Sequence, residues 1–248
     1  MYLSYKFISV YNIMSLVGTI VGVIVTLAVL YIILSYYYLK TAKLTDLKDG
    51  NEAEEILAAD IPGDSNSSNY TYSIWFNVDD WSYRFGMPKT MLSKTSNDDI
   101  LTKIVLDDVL NNIKVIIGCH IENGSGVIEH ECVVENFPIQ RWTNLTISVF
   151  GRTLDMYIDG KLVRTCMLPG IAKTSATDSI YITPDGGFKG KTSNCKYWDN
   201  SSNPQQVYDI YKEGYTGFAF GSALGMVNKY GIKFSFMEND KEKTSYEF

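Results

Sequence analysis

Few residues in this chain are suited to chemistry, and their spacing argues against catalysis. The nearest approach to a pair of catalytic acids is the string Glu129-His130-Glu131-Cys132-Val133. Cleaving a glycosidic bond takes two carboxylates flanking it, about 5–5.5 Å apart in retaining enzymes. This string supplies two acids and then an apolar residue. Alternating polar residues on the solvent face of a sheet explain it more simply. His120 and His130 stand in no nucleophile–base motif, and no glycine-rich phosphate loop occurs. No catalytic residue is assigned, and the chain is expected to be a non-enzyme.

Binding chemistry has more to draw on. Trp81, Tyr83 and Phe85 follow the first long strand and form the candidate contact for a ligand or partner. Their rings suit stacking on a sugar, packing the loop, or docking a protein, and the sequence does not separate these uses. Asp79-Asp80 and Asp98-Asp99 offer oxygen atoms of the kind calcium prefers, but no dense Asp/Asn cluster surrounds them. No metal ligand and no cofactor is assigned. The four cysteines, Cys119, Cys132, Cys166 and Cys195, have no CxxC spacing and argue against zinc. Cys119 and Cys132 flank a hairpin turn and can approach across two strands. The reading adopted is four reduced, mostly buried thiols. A net charge of −6 without a Lys/Arg cluster excludes a nucleic-acid partner.

An N-terminal segment must place all of this at a membrane. Between Lys6 and Lys40 there is no charged residue, and Leu16 to Leu34 is almost wholly apolar. With its flanks, this run supplies the roughly 20 apolar residues that cross a bilayer. Tyr2, Tyr5 and Tyr11 on one side, and Tyr36, Tyr37 and Tyr38 on the other, suit the two interfaces. A signal peptide has a shorter apolar core, about 7–15 residues, and ends in small residues. This run ends in Tyr and Leu. Gly18, Gly22 and Thr26 make a small-residue seam of the kind that packs two membrane helices, so self-association is expected there.

Domain boundaries follow from composition. Residues 1–40 are the anchor and 41–69 a charged tether. Asn51 and Glu54 form a capping-box pattern that predicts a short helix over 52–59. Residues 70–215 read as short strands joined by turns, with Asp159-Gly160 and Asn123 to Gly126 as hairpin signals. Asn203-Pro204 opens a helix running to about Gly214. Residues 216–248 form an extension in which Tyr230 to Met237 reads as a strand that could complete a sheet edge.

Several strings carry a family resemblance when taken in order. They are Ser73 to Val78, Arg141 to Ile147, Leu154 to Leu162, Ile180 to Ile182, Phe188 to Gly190, Lys196 to Trp198 and Pro204 to Tyr211. Together they resemble the concanavalin A-like, laminin-G-like domains. The resemblance implies an all-β jelly-roll sandwich behind one transmembrane helix. Thr183 departs from the family pattern, which usually has Gly there. Pairing such a domain with one membrane helix resembles minor capsid or virion membrane proteins of large DNA viruses. That resemblance implies a structural protein linking an internal membrane to neighbouring capsid proteins. The alternative is a membrane-displayed carbohydrate-binding module.

Orientation rests on flanking charge. Lys6 precedes the apolar run, while Lys40, Lys43 and Lys48 follow it, and basic residues favour the cytoplasmic side. The expectation is a single-pass protein with its sandwich on the host cytoplasmic side, facing the capsid. There, no disulfide forms and the sequons at Asn66, Asn69, Asn123, Asn144 and Asn200 stay bare.

Overall fold

The structure, a computed structural model, describes residues 18–31, 33, 42–121, 126–216, 233–238 and 241–247. The chain divides into two units, residues 1–41 and 42–248. In the first unit residues 18–31 form helix α1, whose apolar side chains are exposed all round, from Ile20 and Val21 to Leu27 and Leu30. Among the described residues no helix is long and apolar enough to cross a membrane. The tyrosines expected at the two interfaces lie outside the described residues, as does Asn123.

The second unit is a sandwich of two antiparallel sheets. The first is ordered β1 (Lys43–Thr45), β13 (Lys189–Trp198), β4 (Tyr70–Asp80), β9 (Thr143–Phe150), β10 (Thr153–Ile158) and β11 (Lys161–Met167). Strand β2 (Lys48–Asp49) also pairs with β13. The second sheet is ordered β3 (Glu54–Ile56), β12 (Ile180–Ile182), β5 (Lys89–Ser96), β6 (Asp99–Leu106), β7 (Ile113–His120) and β8 (Val127–Val134).

Alternation along each strand builds the core. On β4, Tyr70, Tyr72, Ile74, Phe76 and Val78 point inward. They lie in register with Val149, Ile147 and Leu145 of β9. Ile104, Leu106, Ile113, Val115 and Ile117 face them from the second sheet. On this core face the Tyr70 hydroxyl and the Thr102 hydroxyl are bonded at 2.7 Å across the sandwich.

The opposite face of the first sheet is polar and yet buried, because helix α2 (Pro204–Lys212) lies on it. The helix forms where the sequence predicts. Asn203 accepts from the Gln206 amide at 3.0 Å, and the Gln206 side chain accepts from the Asn203 amide at 2.9 Å. Val207 and Ile210, three apart, are its buried residues, each worth about 1.5–3 kcal/mol if fully buried. Tyr211 stacks on Trp75 at 5.5 Å, and Tyr215 on Trp142 at 4.6 Å. Beneath the helix, Asn144 donates to the Ser73 hydroxyl at 3.0 Å and is fully buried.

Three expectations need correction. The helix over 52–59 is absent: β3 occupies 54–56 and a 3-10 turn occupies Ala58–Asp60. Strands β1, β2 and β3 belong to the two sheets, so this stretch closes one side of the sandwich rather than serving as a loose tether. Backbone pairing won over the local capping pattern: the Gly50 amide donates to Gly190 O at 2.7 Å, and the Phe188 amide to Gly50 O at 3.0 Å.

The expectation of four reduced thiols is overturned by a disulfide between Cys132 and Cys166, with Cα atoms 6.3 Å apart. These residues lie on β8 and β11, the long edge strands of the two sheets, so the bond closes the other side. Cys119 and Cys195 remain free and buried.

The strand expected over 230–237 is present as β14 (Lys233–Glu238). It pairs with β15 (Lys241–Glu247) in a separate two-stranded sheet and completes no edge of the sandwich.

Thr183, the departure noted in the sequence, has φ +48°, a conformation that favours glycine. Its hydroxyl donates to Glu52 O at 2.6 Å and its amide to Met91 O at 2.9 Å. Those two bonds hold the threonine in a backbone region that strains L-residues by about 1–2 kcal/mol.

Candidate partner-binding surface

Strand register separates the sandwich into two ends. Lys43, where the chain comes into the sheets, pairs with Lys196, which also pairs with Ser73. That end is the base. At the other end Lys189 pairs with Asp80, roughly 25 Å away along the strands. That end is the tip, and three loops meet there.

The first tip loop, residues 81–88, leaves β4 through a tight turn. The Ser82 amide and hydroxyl both donate to the Asp80 carboxylate, at 2.9 and 2.7 Å. Those bonds hold the Asp80 carboxyl below its usual range. The Gly86 amide donates to Asp108 O at 3.0 Å, and Trp81 Nε1 donates to Val109 O at 3.0 Å. These tie the first loop to the second, residues 107–112. The second is tied to the third, residues 135–141, by the Phe137 amide to Asn111 O at 3.0 Å and Asn111 Nδ2 to Phe137 O at 3.0 Å. Loops cross-linked this way hold their side chains at little further entropic cost.

What they display is apolar. Phe85 is 61 % exposed, Met87 55 %, Val109 48 % and Leu110 59 %. The aromatic trio singled out in the sequence does come together on one loop, but the three rings differ in use. Trp81 packs 5.8 Å from the Phe137 ring, and the buried Lys89 ammonium lies 4.6 Å from its centroid. Among the described residues Lys89 Nζ has no hydrogen-bond partner, so this cation–π contact, with the charges of Asp108 and Asp107, offsets its burial. Tyr83 donates its hydroxyl to Gly186 O at 3.2 Å. Of the three, only Phe85 stands free.

This arrangement, two antiparallel sheets packed face to face, is shared with known proteins. The description that matches residues 49–208, more than half of the chain, is the concanavalin A-like lectin/glucanases superfamily. The chain belongs to that superfamily.

The concanavalin A-like domain also shares its fold with solved structures at low identity. One is the binding domain of botulinum neurotoxin serotype D: TM-score 0.50, 10 % identity, covering 67 % of this chain and 46 % of that one. Another is a point mutant named HCR/D: TM-score 0.51, 10 % identity, covering 68 % and 42 %. The chain thus spans less than half the length of these structures, and the likeness is one of fold. No curated protein matches the sequence.

Within this concanavalin A-like domain the acid string takes the shape of an edge strand. Glu129 pairs with Gly118 and Glu131 with Ile116, both exposed on the outer face of β8, while His130 pairs with Ile117. Asp99 forms an ion pair with Lys173 at 2.9 Å. Among the described residues no group of three or more His, Cys, Asp or Glu is placed to hold a metal ion.

Beside the disulfide, a groove of about 390 Å³ is lined by Val133, Val134, Phe137, Ile158, Val163 and Arg164. On α1, Gly18, Gly22 and Thr26 fall on one face at intervals of four. A Cβ built on either glycine meets nothing within 4 Å, and the Thr26 hydroxyl donates to Gly22 O at 2.8 Å.

Sequence reasoning passed over Met87, Val109 and Leu110. Apolar residues set among Asp107, Asp108, Asn111 and Asn112 are the signal that was available, since a turn that only reverses the chain has no use for them.

Proposed function

We propose that this chain is a membrane-tethered binding module that docks a protein partner through its tip. The observation that carries the reading is the exposure of Phe85, Met87, Val109 and Leu110 on two loops hydrogen-bonded to each other, the second also bonded to a third. Clustered exposed apolar side chains on a rigid scaffold mark interaction surfaces. Such a surface supports binding rather than catalysis, and the two acids of β8 lie on an edge strand away from it.

A carbohydrate ligand is the second reading, favoured by the lectin-like fold. It asks for free aromatic faces together with polar side chains, and Phe85 alone of the trio supplies one. Aliphatic residues and methionine suit a protein surface better.

The tether is proposed from α1. A helix apolar on every side is one that lipid or protein must surround. The uncharged, apolar sequence from Leu16 to Leu34 gives the bilayer as the first partner, and the Gly18/Gly22/Thr26 face gives a second copy. A capsid protein beneath a viral shell is one tip partner that the sequence resemblance implies. The tip itself does not favour it over other proteins.

The test uses the full chain in native membranes. A photo-crosslinker at Met87 is expected to capture one protein reproducibly, and Phe85→Asp with Leu110→Asp to reduce that capture at least tenfold. A glycan array probed in parallel is expected to stay blank. Undiminished capture in the double variant removes the tip as the site. A glycan signal lost in the variant replaces the protein reading with the lectin one.

A further inference from the structure

The redox state of the sandwich and the placement of its sequons point to the same compartment. The Cys132–Cys166 bond joins the edge strands of two different sheets, so it is a framework bond within the domain. Such disulfides persist where the surroundings are oxidising and are rare in the cytosol. The charge asymmetry favours the opposite side, but it amounts to a few lysines, and orientation by such a bias can be reversed by other signals.

The structure also sorts the sequons. Asn144 is fully buried and bonded to Ser73, so a glycan on it is incompatible with the folded sandwich. Asn69 is half-buried, with its side-chain oxygen accepting from the Gly151 amide at 2.7 Å. Asn66 and Asn200 are exposed. Both of these lie in turns at the base. Asn66 lies two residues after Asp64, whose amide donates to the Asp199 carboxylate at 2.9 Å. Asn200 follows Asp199, and its carbonyl accepts from the Thr71 hydroxyl at 2.8 Å. One acid–amide contact thus joins the two sequon turns, about 25 Å along the strands from the apolar tip.

We propose that the sandwich faces an oxidising, glycosylating compartment and carries N-linked glycans on Asn66 and Asn200, at the end away from the tip. The donor is an oligosaccharide on a polyprenyl diphosphate. Its C1–O bond breaks as a C1–N bond forms to the asparagine side-chain nitrogen, which loses a proton, and the polyprenyl diphosphate leaves. A bulky, hydrated glycan at both sites covers the base and keeps the tip clear, so modification and docking do not compete for surface. The inference rests on the apolar N-terminal segment directing membrane insertion, and the test reads that insertion separately.

The full chain is expressed in a eukaryotic cell that glycosylates, and the membrane fraction is washed with carbonate to confirm insertion. Endoglycosidase treatment is expected to remove mass in two steps. Asn66→Gln abolishes one step, Asn200→Gln the other, and Asn69→Gln neither. Mass spectrometry of the alkylated, unreduced protein is expected to return the Cys132–Cys166 peptide pair. A carbonate-resistant wild type with unshifted mass overturns the proposal, as does a shift that survives in the Asn66/Asn200 double variant. A carbonate-soluble chain overturns the tether reading instead.

Discussion

Replacing both Cys132 and Cys166 with alanine tests the link between topology and stability most directly. The bond closes a loop of 34 residues. The chain-entropy relation assigns about 4 kcal/mol at 25 °C to a cross-link of that length. Each substitution also removes a buried sulfur, so a packing loss adds to that figure rather than reducing it. For a domain of this size each kcal/mol shifts Tm by about 2–4 °C, so the variant should melt roughly 8–16 °C lower. Differential scanning fluorimetry on the full chain in detergent reads this.

Reduction of the unmutated protein with dithiothreitol supplies the control. It breaks the bond without changing the side chains, and should lower Tm by a similar amount. A variant within about 2 °C of the parent would refute the reasoning. So would four thiols titrating under denaturing, non-reducing conditions, because the structure assigns two of them to the bond.

Trp75→Ala should destabilise by about 3–5 kcal/mol, since Trp75 is the ring on which Tyr211 and Tyr215 rest, and should raise amide exchange across α2. A urea midpoint corresponding to less than about 1 kcal/mol of loss would detach the helix from that ring. Burial pushes the Cys195 thiol up to about 12 and the Tyr70, Tyr72 and Tyr197 hydroxyls above their ordinary value. Groups raised in the folded state contribute stability that is complete below their unfolded values and is lost as pH rises, each by about 1.4 kcal/mol per pH unit. Lys94 and Lys196, lowered by burial, act in the opposite sense only up to their unfolded value of 10.5. Urea midpoints should therefore fall between pH 10.5 and 11.5, and a flat profile there would contradict the burial of these groups. Gly22→Ile should weaken helix self-association in a membrane two-hybrid assay, because a branched side chain separates the backbones. An unchanged signal would mean that Gly18 and Gly22 form no helix–helix seam.

Much of the sandwich was legible because alternation is a local signal. Tyr70 to Val78, Leu145 to Val149 and Ile113 to Cys119 each show their inward face in the sequence. Asn203, Pro204 and Gln206 announce α2 in the same way. The stretch from Lys43 to Ile56 was not legible, since strands of two or three residues carry no period and their lysines and glutamates resemble a solvated linker.

The Cys132–Cys166 pair was hidden for a different reason. Spacing draws attention to cysteines that flank one turn, such as Cys119 and Cys132, yet the register sets Cys132 opposite Val115 and Cys119 opposite Ile128, whereas two edge strands of separate sheets become neighbours only once the fold is complete. At the tip, the aromatic residues were visible by type. Which of them stands free depends on Lys89, at the start of the next strand, and on Phe137 and Gly186, which arrive from two distant parts of the chain.

Placing the chain's arrival at Lys43 opposite the apolar tip loops has a mechanical consequence. A load applied between Lys43 and the tip would run from base to tip, along the strands. Hydrogen bonds between antiparallel strands lie across that direction, so many would resist sliding together instead of opening one at a time. Strand β1 has few such bonds to β13, and β2 beside it adds few more, so they should slip first. The Cys132–Cys166 bond, on the far side, would keep the remaining strands from parting. A module built this way yields a little length under tension before it yields its fold.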